Sequence, residues 1–161
     1  MTTRFTLMAL AMAAWSAAGA FAQTTTTTSS RSLSYPPVGL ASSETAQLNV
    51  VNTAAASSTG TAASCTGSIS FFNAAGTLIG TATPFTVGSG QIFSGTLPFT
   101  RVGATGLRTE VRGVVTLTIT SGSTVPCSLV TSYETYDTAS GATHVHLEGG
   151  GLEGYQNGGR H

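Results

Sequence analysis

The chain has 161 residues with six basic and six acidic side chains, and charged residues make up only 7% of it, against roughly 25% in typical soluble domains. A nucleic-acid-binding protein needs a basic surface that releases counterions from phosphates, so this charge balance excludes nucleic acid as a partner. The hydrophobic fraction of 40% excludes a wholly disordered chain, and the abundance of Thr, Val, Ile and Phe favours strands.

The first 22 residues are predicted to be a secretory signal peptide. Arg4 is their only charge, residues 5–15 are apolar, and residues 16–22 are small and end in Ala20-Phe21-Ala22. This order of a charged region, an apolar region and an A-x-A site predicts cleavage before Gln23. The alternative is an uncleaved anchor, but the apolar run is shorter than the ~20 residues that span a membrane. We therefore expect an exported protein, periplasmic or extracellular, without a stable membrane span after cleavage.

Residues 23–35 (QTTTTTSSRSLSY) are polar and of low complexity. They are predicted to be a disordered spacer, because such a segment cannot bury a core. They also lack the alternating apolar row that a strand-donating pilin extension needs. Pro36-Pro37 marks the predicted start of the folded domain, residues 36–148.

Short segments of the domain alternate between apolar and polar residues, with turn residues between them. The predicted strands cover 44–52, 65–72, 77–82, 91–97, 108–120, 127–136 and 142–147. Such a series, without helical periodicity, is typical of an antiparallel sandwich of seven to eight strands. The predicted core consists of the apolar residues on the inward faces: Leu48, Val50, Ile69, Phe71, Val111, Val115, Leu117, Ile119 and Leu129.

Two cysteines, Cys65 and Cys127, remain after removal of the leader. An even pair in an exported chain predicts a disulfide, and both residues fall on the apolar faces of their predicted strands. A metal site built on the pair lacks the C-x-x-C spacing, and free thiols would require that the protein stays in a reducing compartment. Residues 149–161 are rich in glycine and are predicted to be a flexible tail.

The run from Val38 to Leu147 resembles the small immunoglobulin-like sandwiches common in exported bacterial proteins. The resemblance is carried by VGLASSETAQLNVVN, CTGSISFFNAAGTLI and EVRGVVTLTI, followed by CSLVTSYETYDTASGATHV. The tryptophan that antibody-type domains pack against their disulfide is absent, since Trp15 lies in the leader. The resemblance implies an immunoglobulin-like fold and a role in binding, adhesion or structural spacing, with a protein or a surface polymer as partner.

His144, His146 and Glu148 are the one constellation that suggests chemistry. Positions i, i+2 and i+4 of a strand share a face, and two imidazoles with a carboxylate suit zinc or copper. The HVH triplet resembles part of the copper–zinc superoxide dismutase site, but the resemblance does not extend to the other histidine and aspartate ligands of that site. The alternative interpretation is that these three residues form the solvent-exposed face of an edge strand, with Val145 and Leu147 pointing inward.

The remaining charges on the long strands, Glu110, Arg112 and Glu134, are expected on outward faces in cross-strand ion pairs. The sequence contains no G-x-S-x-G or P-loop motif, which disfavours hydrolases and nucleotide-binding enzymes. The favoured function is an exported, non-enzymatic module without a cofactor. The alternatives are a copper- or zinc-binding protein using His144, His146 and Glu148, and a small secreted hydrolase.

Overall fold

The computed structural model describes residues 27–55, 62–120 and 125–153, and these residues form an all-β structure. A one-turn 3-10 helix at Phe99–Arg101 is the single helical element among them, and no described helix is long and apolar enough to cross a membrane. The predicted signal peptide (1–22), residues 23–26 of the predicted spacer and residues 154–161 of the predicted tail lie outside the described residues. The strands are β1 (Thr28–Ser34), β2 (Val38–Ala41), β3 (Glu44–Asn52), β4 (Ser64–Asn73), β5 (Thr83–Gly88), β6 (Ile92–Pro98), β7 (Arg108–Thr120), β8 (Ser128–Asp137), β9 (Thr143–Glu148) and β10 (Leu152–Glu153).

The strands form two antiparallel sheets that pack face to face. The first sheet has the order β1-β7-β4-β5, and β2 pairs with β7 beyond the end of β1. The second sheet has the order β10-β8-β3-β6, and β9 pairs with β8 on the same side as β10. In each sheet two short strands therefore share the outer edge of one long strand.

The core lies between the sheets and is built from the inward rows of the strands. All nine residues predicted for it are buried, each with at most 7% of its surface exposed. Tyr133 and Leu40 also lie in this core. The prediction of the inward faces is therefore confirmed. It succeeds because successive side chains of a strand point to opposite faces, so position in the alternation determines the face.

Two segments expected to lack structure contain strands instead. Residues 28–34 of the predicted spacer form β1, which pairs with Val114–Thr120 of β7, and Leu152 of the predicted tail is buried in β10. Neither shows a period-two apolar row. They are held by backbone hydrogen bonds to the edge of a long strand, which leave no mark in the side-chain pattern. The described residues consequently form ten strands rather than seven or eight.

The strand expected at 77–82 lies further along the chain, at Thr83–Gly88. Phe85 and Val87 supply its buried row, with 5% and 2% of their surfaces exposed. Pro84 is tolerated because β5 is an edge strand. Residues 77–82 contribute a single isolated bridge, from Leu78 to Phe72.

A disulfide connects the two sheets. Cys65 lies in β4 of the first sheet, and Cys127 immediately precedes β8 of the second sheet. Their Cα atoms are 5.1 Å apart, as in other disulfides. The structure thus pairs the two cysteines as the sequence predicts.

The inward row of β8 contains a buried hydroxyl without a partner. Thr135 is fully buried, and its Oγ1 has no hydrogen bond to any described residue. An unsatisfied buried hydroxyl costs roughly 1–3 kcal/mol. We expect Thr135→Val, which keeps the shape and removes the hydroxyl, to raise the free energy of unfolding by about 1 kcal/mol in urea denaturation.

Thr131 provides the matched control for that prediction, on the same strand and the same face. Its Oγ1 accepts a 2.6 Å hydrogen bond from the Tyr35 hydroxyl. Thr131→Val leaves the Tyr35 hydroxyl without this acceptor, so it should lower the free energy of unfolding by about 1 kcal/mol. Equal effects of the two substitutions would contradict the interpretation.

Candidate functional site

Strand β9 places the three predicted ligand residues on one side of an edge strand. His144, His146 and Glu148 are exposed, whereas Val145 and Leu147 are partly buried and pack against the core. The alternation predicted for this segment is therefore confirmed. What each of the three side chains contacts, however, differs.

The His144 side chain contacts the carboxylate of Glu44, a residue 100 positions earlier in the sequence, and not His146 or Glu148. A β-bulge between Thr135 and Tyr136 shifts the register beside His144, and its Nδ1 lies against Oε1 of Glu44. The other carboxylate oxygen of Glu44 accepts a 2.7 Å hydrogen bond from the backbone N–H of Ala41. The pair thus ties β9 to the turn between β2 and β3.

His146 and Glu148 face a polar network on β3 and β8. Glu134 lies opposite His146 in the ladder, and its Oε1 accepts hydrogen bonds from the side-chain amides of Gln47 (3.0 Å) and Asn49 (3.1 Å). Asn49 also donates to Ser132 and accepts from Ser94 at 2.6 Å. These bonds hold the Glu134 carboxylate in place, because both amides belong to side chains of β3.

The expected cross-strand ion pairs among Glu110, Arg112 and Glu134 are not formed in the described residues. Strand β7 belongs to the first sheet and β8 to the second, so Glu134 lies on the opposite side of the molecule from Arg112. Glu134 is satisfied by amides, and the Arg112 guanidinium lies over the ring of Phe72, 5.2 Å from its centroid. The sequence pattern predicts that these charged side chains point outward, but it does not specify which sheet each strand belongs to.

In residues 27–55, 62–120 and 125–153, no three His, Cys, Asp or Glu side chains are grouped as a metal site. The structure brings His146 and Glu148 to one side of Glu134 and leaves His144 with Glu44. The zinc or copper site at His144, His146 and Glu148 therefore stays a prediction. Metal-induced stabilisation that His144→Ala with His146→Ala abolishes would support it.

A surface groove of about 630 Å³ runs across the strands beside this network. Its apolar end is formed by three residues that are cross-strand neighbours, Ile92, Val51 and Val130. Ile92 is 70% exposed and Val130 is 46% exposed. Its polar end is formed by Asn49, Ser132, His146 and Glu148.

We call this surface the acidic face. It comprises the groove residues together with Glu134 and lies on the outer side of the second sheet. Sequence reasoning did not identify it, although one signal was present. Val130 and Ile92 occupy outward positions in strands whose other outward residues are mostly polar. Apolar side chains on an otherwise polar, solvent-exposed face indicate a candidate contact surface.

The Glu44–His144 pair predicts a pH dependence of stability. Burial raises the pKa of Glu44, but the hydrogen bonds from Ala41 and His144 and the charges of His144 and Arg108 lower it more, so this pKa lies below its ordinary value of 4.5. The folded state thus favours the carboxylate. Its stabilising contribution is present above the unfolded pKa and is lost as the pH falls through the folded pKa.

We expect Glu44→Gln to lower the free energy of unfolding by about 1–2 kcal/mol at pH 7 and by clearly less at pH 3. Urea denaturation at the two pH values measures the difference. Glu148→Gln is the control, since the Glu148 side chain is exposed. An effect of Glu44→Gln that does not change with pH would show that the carboxylate charge is not what stabilises the turn.

Comparison of the chain with protein-family models, with curated proteins and with solved structures gives no match.

Proposed function

We propose that this chain is an exported, non-enzymatic module of the immunoglobulin-like sandwich type that makes structural or adhesive contacts through its acidic face. The observation that carries the proposal is the exposure of Ile92 and Val130 side by side with Val51. Adjacent exposed aliphatic side chains rimmed by polar groups are typical of protein contact surfaces.

Export is supported by the leader pattern and by the cysteine pairing. Residues 5–15 form the apolar part of the leader, and cleavage is expected before Gln23. The Cys65–Cys127 pair is of the kind that persists in oxidising compartments. We place the mature protein in the periplasm or at the cell surface.

The immunoglobulin-like assignment is supported by the arrangement of the sheets. Two antiparallel sheets are joined by a disulfide between β4 and the start of β8. The non-enzymatic assignment rests on the form of the acidic face, which is an open sheet surface with a fixed carboxylate. Glu134 is held by two amides and is suited to accept a hydrogen bond from a partner group.

The experiment compares cell retention of the full chain with that of surface variants in the producing cells. Ile92→Ser together with Val130→Ser removes the aliphatic pair, and Leu107→Ser is the matched control because Leu107 is 81% exposed and precedes β7. We expect the double variant to keep its melting temperature and to bind its partner at least about a hundredfold more weakly, with a matching loss of retention, since burial of each of the two aliphatic side chains contributes about 1.5–3 kcal/mol and about 1.4 kcal/mol is tenfold in affinity. Retention equal to that of Leu107→Ser would refute the proposal.

A further inference from the structure

The outer faces of the two sheets carry opposite charges. On the acidic face lie the carboxylates of Glu134 and Glu148, and no arginine of the described residues lies there. On the outer face of the first sheet, β7 carries Arg108 and Arg112 with Glu110 between them. The Arg108 side chain lies flat over Gly39, in space that any larger residue would fill. We call this second surface, with Phe72 and Leu78, the basic face.

The basic face also exposes apolar side chains. Phe72 lies under the Arg112 guanidinium, and Leu78, 40% exposed, is paired with Phe72 through the isolated bridge. Bridge partners point to the same side of a sheet. Each face therefore combines an apolar patch with charge, and the sign of the charge differs between them.

We propose that the acidic face of one copy binds the basic face of a second copy of this chain. This inference rests on the proposed function and names the partner of the same surface. Arg112 would lie against Glu148 and Glu134, and Phe72 with Leu78 would cover Ile92 and Val130. Complementary charge selects the orientation, while the apolar pairs supply most of the binding free energy.

The two faces lie on opposite sides of the sandwich, so the contact is head to tail. After two copies have bound, one end of the assembly still has an unused acidic face and the other end has an unused basic face. Heterologous contacts of this kind produce open chains unless a rotation closes them into a ring. Because each patch contains only two or three apolar side chains, the contact should be of micromolar strength.

The first measurement is sedimentation velocity of the mature protein, residues 23–161, between about 5 and about 500 µM. The mean sedimentation coefficient should rise with concentration, without a plateau at the dimer. It should fall when the ionic strength is raised from about 0.05 to about 0.5 M, because exposed charge pairs are screened. A monomer at all concentrations would overturn the inference.

The second measurement reverses the charges one at a time. Arg112→Glu blocks the basic face, and Glu148→Arg blocks the acidic face, so each variant alone should remain monomeric. A mixture of the two should assemble, because the intact acidic face of one variant can bind the intact basic face of the other. Arg101→Glu makes the same charge change outside both faces and should assemble like the unmodified chain.

The third measurement combines Arg112→Glu and Glu148→Arg in one chain. The reversed faces are again complementary, so assembly should be restored in part, which a mere loss of folding cannot produce. Melting curves of every variant confirm that the fold is kept. Single variants that assemble like the unmodified chain, or a mixture that stays monomeric, would contradict the pairing.

The result separates this inference from the proposed function. If cell retention depends on Ile92 and Val130 while the protein stays monomeric, the acidic face has a partner that is not a second copy. If charge reversal controls assembly but retention does not depend on Ile92 and Val130, self-association stands and the cell-contact role fails.

Discussion

Replacing Cys65 and Cys127 together by alanine is expected to lower the free energy of unfolding by about 3–4 kcal/mol. The two residues are 62 positions apart, so the bond removes much of the loop-closure entropy of the unfolded chain. The bond also fixes the start of β8 against β4, across the two sheets. Guanidinium denaturation of the oxidised protein and of the double variant measures the difference.

Reduction supplies the control for the disulfide prediction. A strong thiol reductant should bring the unmodified protein close to the stability of the double variant and leave the double variant unchanged. The denaturant dependence of the oxidised protein should also be shallower, because its unfolded state stays more compact. A difference in the free energy of unfolding below about 1 kcal/mol would show that the disulfide contributes little to stability.

Tyr133→Ala is expected to destabilise the protein by about 3–5 kcal/mol. Tyr133 is fully buried at the centre of the core. Its ring packs against Tyr35 and Phe71, with centroids 5.4 and 6.4 Å away, and its hydroxyl donates a 3.1 Å hydrogen bond to the carbonyl of Val111 in the opposite sheet. Removal of the ring leaves a cavity and also breaks a link between the sheets. Urea denaturation provides the measurement.

Two further substitutions divide that effect into packing and hydrogen bonding. Tyr133→Phe keeps the ring and should cost only about 1 kcal/mol, whereas Tyr136→Ala, on the outward side of the same strand, should cost less than about 1 kcal/mol. A Tyr133→Phe variant as unstable as Tyr133→Ala would contradict the dominance of packing.

Alkaline pH gives an independent readout of the same residue. Burial raises the pKa of Tyr133 above its ordinary value of 10.0, so the folded state favours the neutral phenol. The stability that depends on this group is present below the unfolded pKa and is lost as the pH rises above it. The advantage of the unmodified protein over Tyr133→Phe should therefore shrink as the pH rises above 10.0.

The inward faces of the strands could be predicted from the sequence because alternation is local information. Leu48, Val115 and Leu129 are each identified by neighbours two positions away. The pairing of β1 with β7 could not be predicted in this way. Residues 28–34 contain one aliphatic side chain, and they are held by the edge of a strand at least 80 positions further along the chain.

The candidate site shows the same division between local and distant information. The shared face of His146 and Glu148 follows from their spacing, and the structure agrees. The partner of His144 is Glu44, 100 positions away, and the amides that fix Glu134 come from β3. Contacts between strands depend on sheet order, which a single sequence does not specify when several strands have the same pattern.

The late position of both central strands in the chain has a kinetic consequence. The first sheet is organised around β7 and the second around β8, and the pairing of β3 with β8 joins Glu44 to Asp137. The first sheet cannot form on the ribosome before β7 has been synthesised, and the second sheet cannot form before β8 has been synthesised. Folds dominated by such distant pairings have high contact order and fold in milliseconds to seconds. Under the proposed export, a nascent chain that folds late would stay unfolded long enough to pass through a secretion channel.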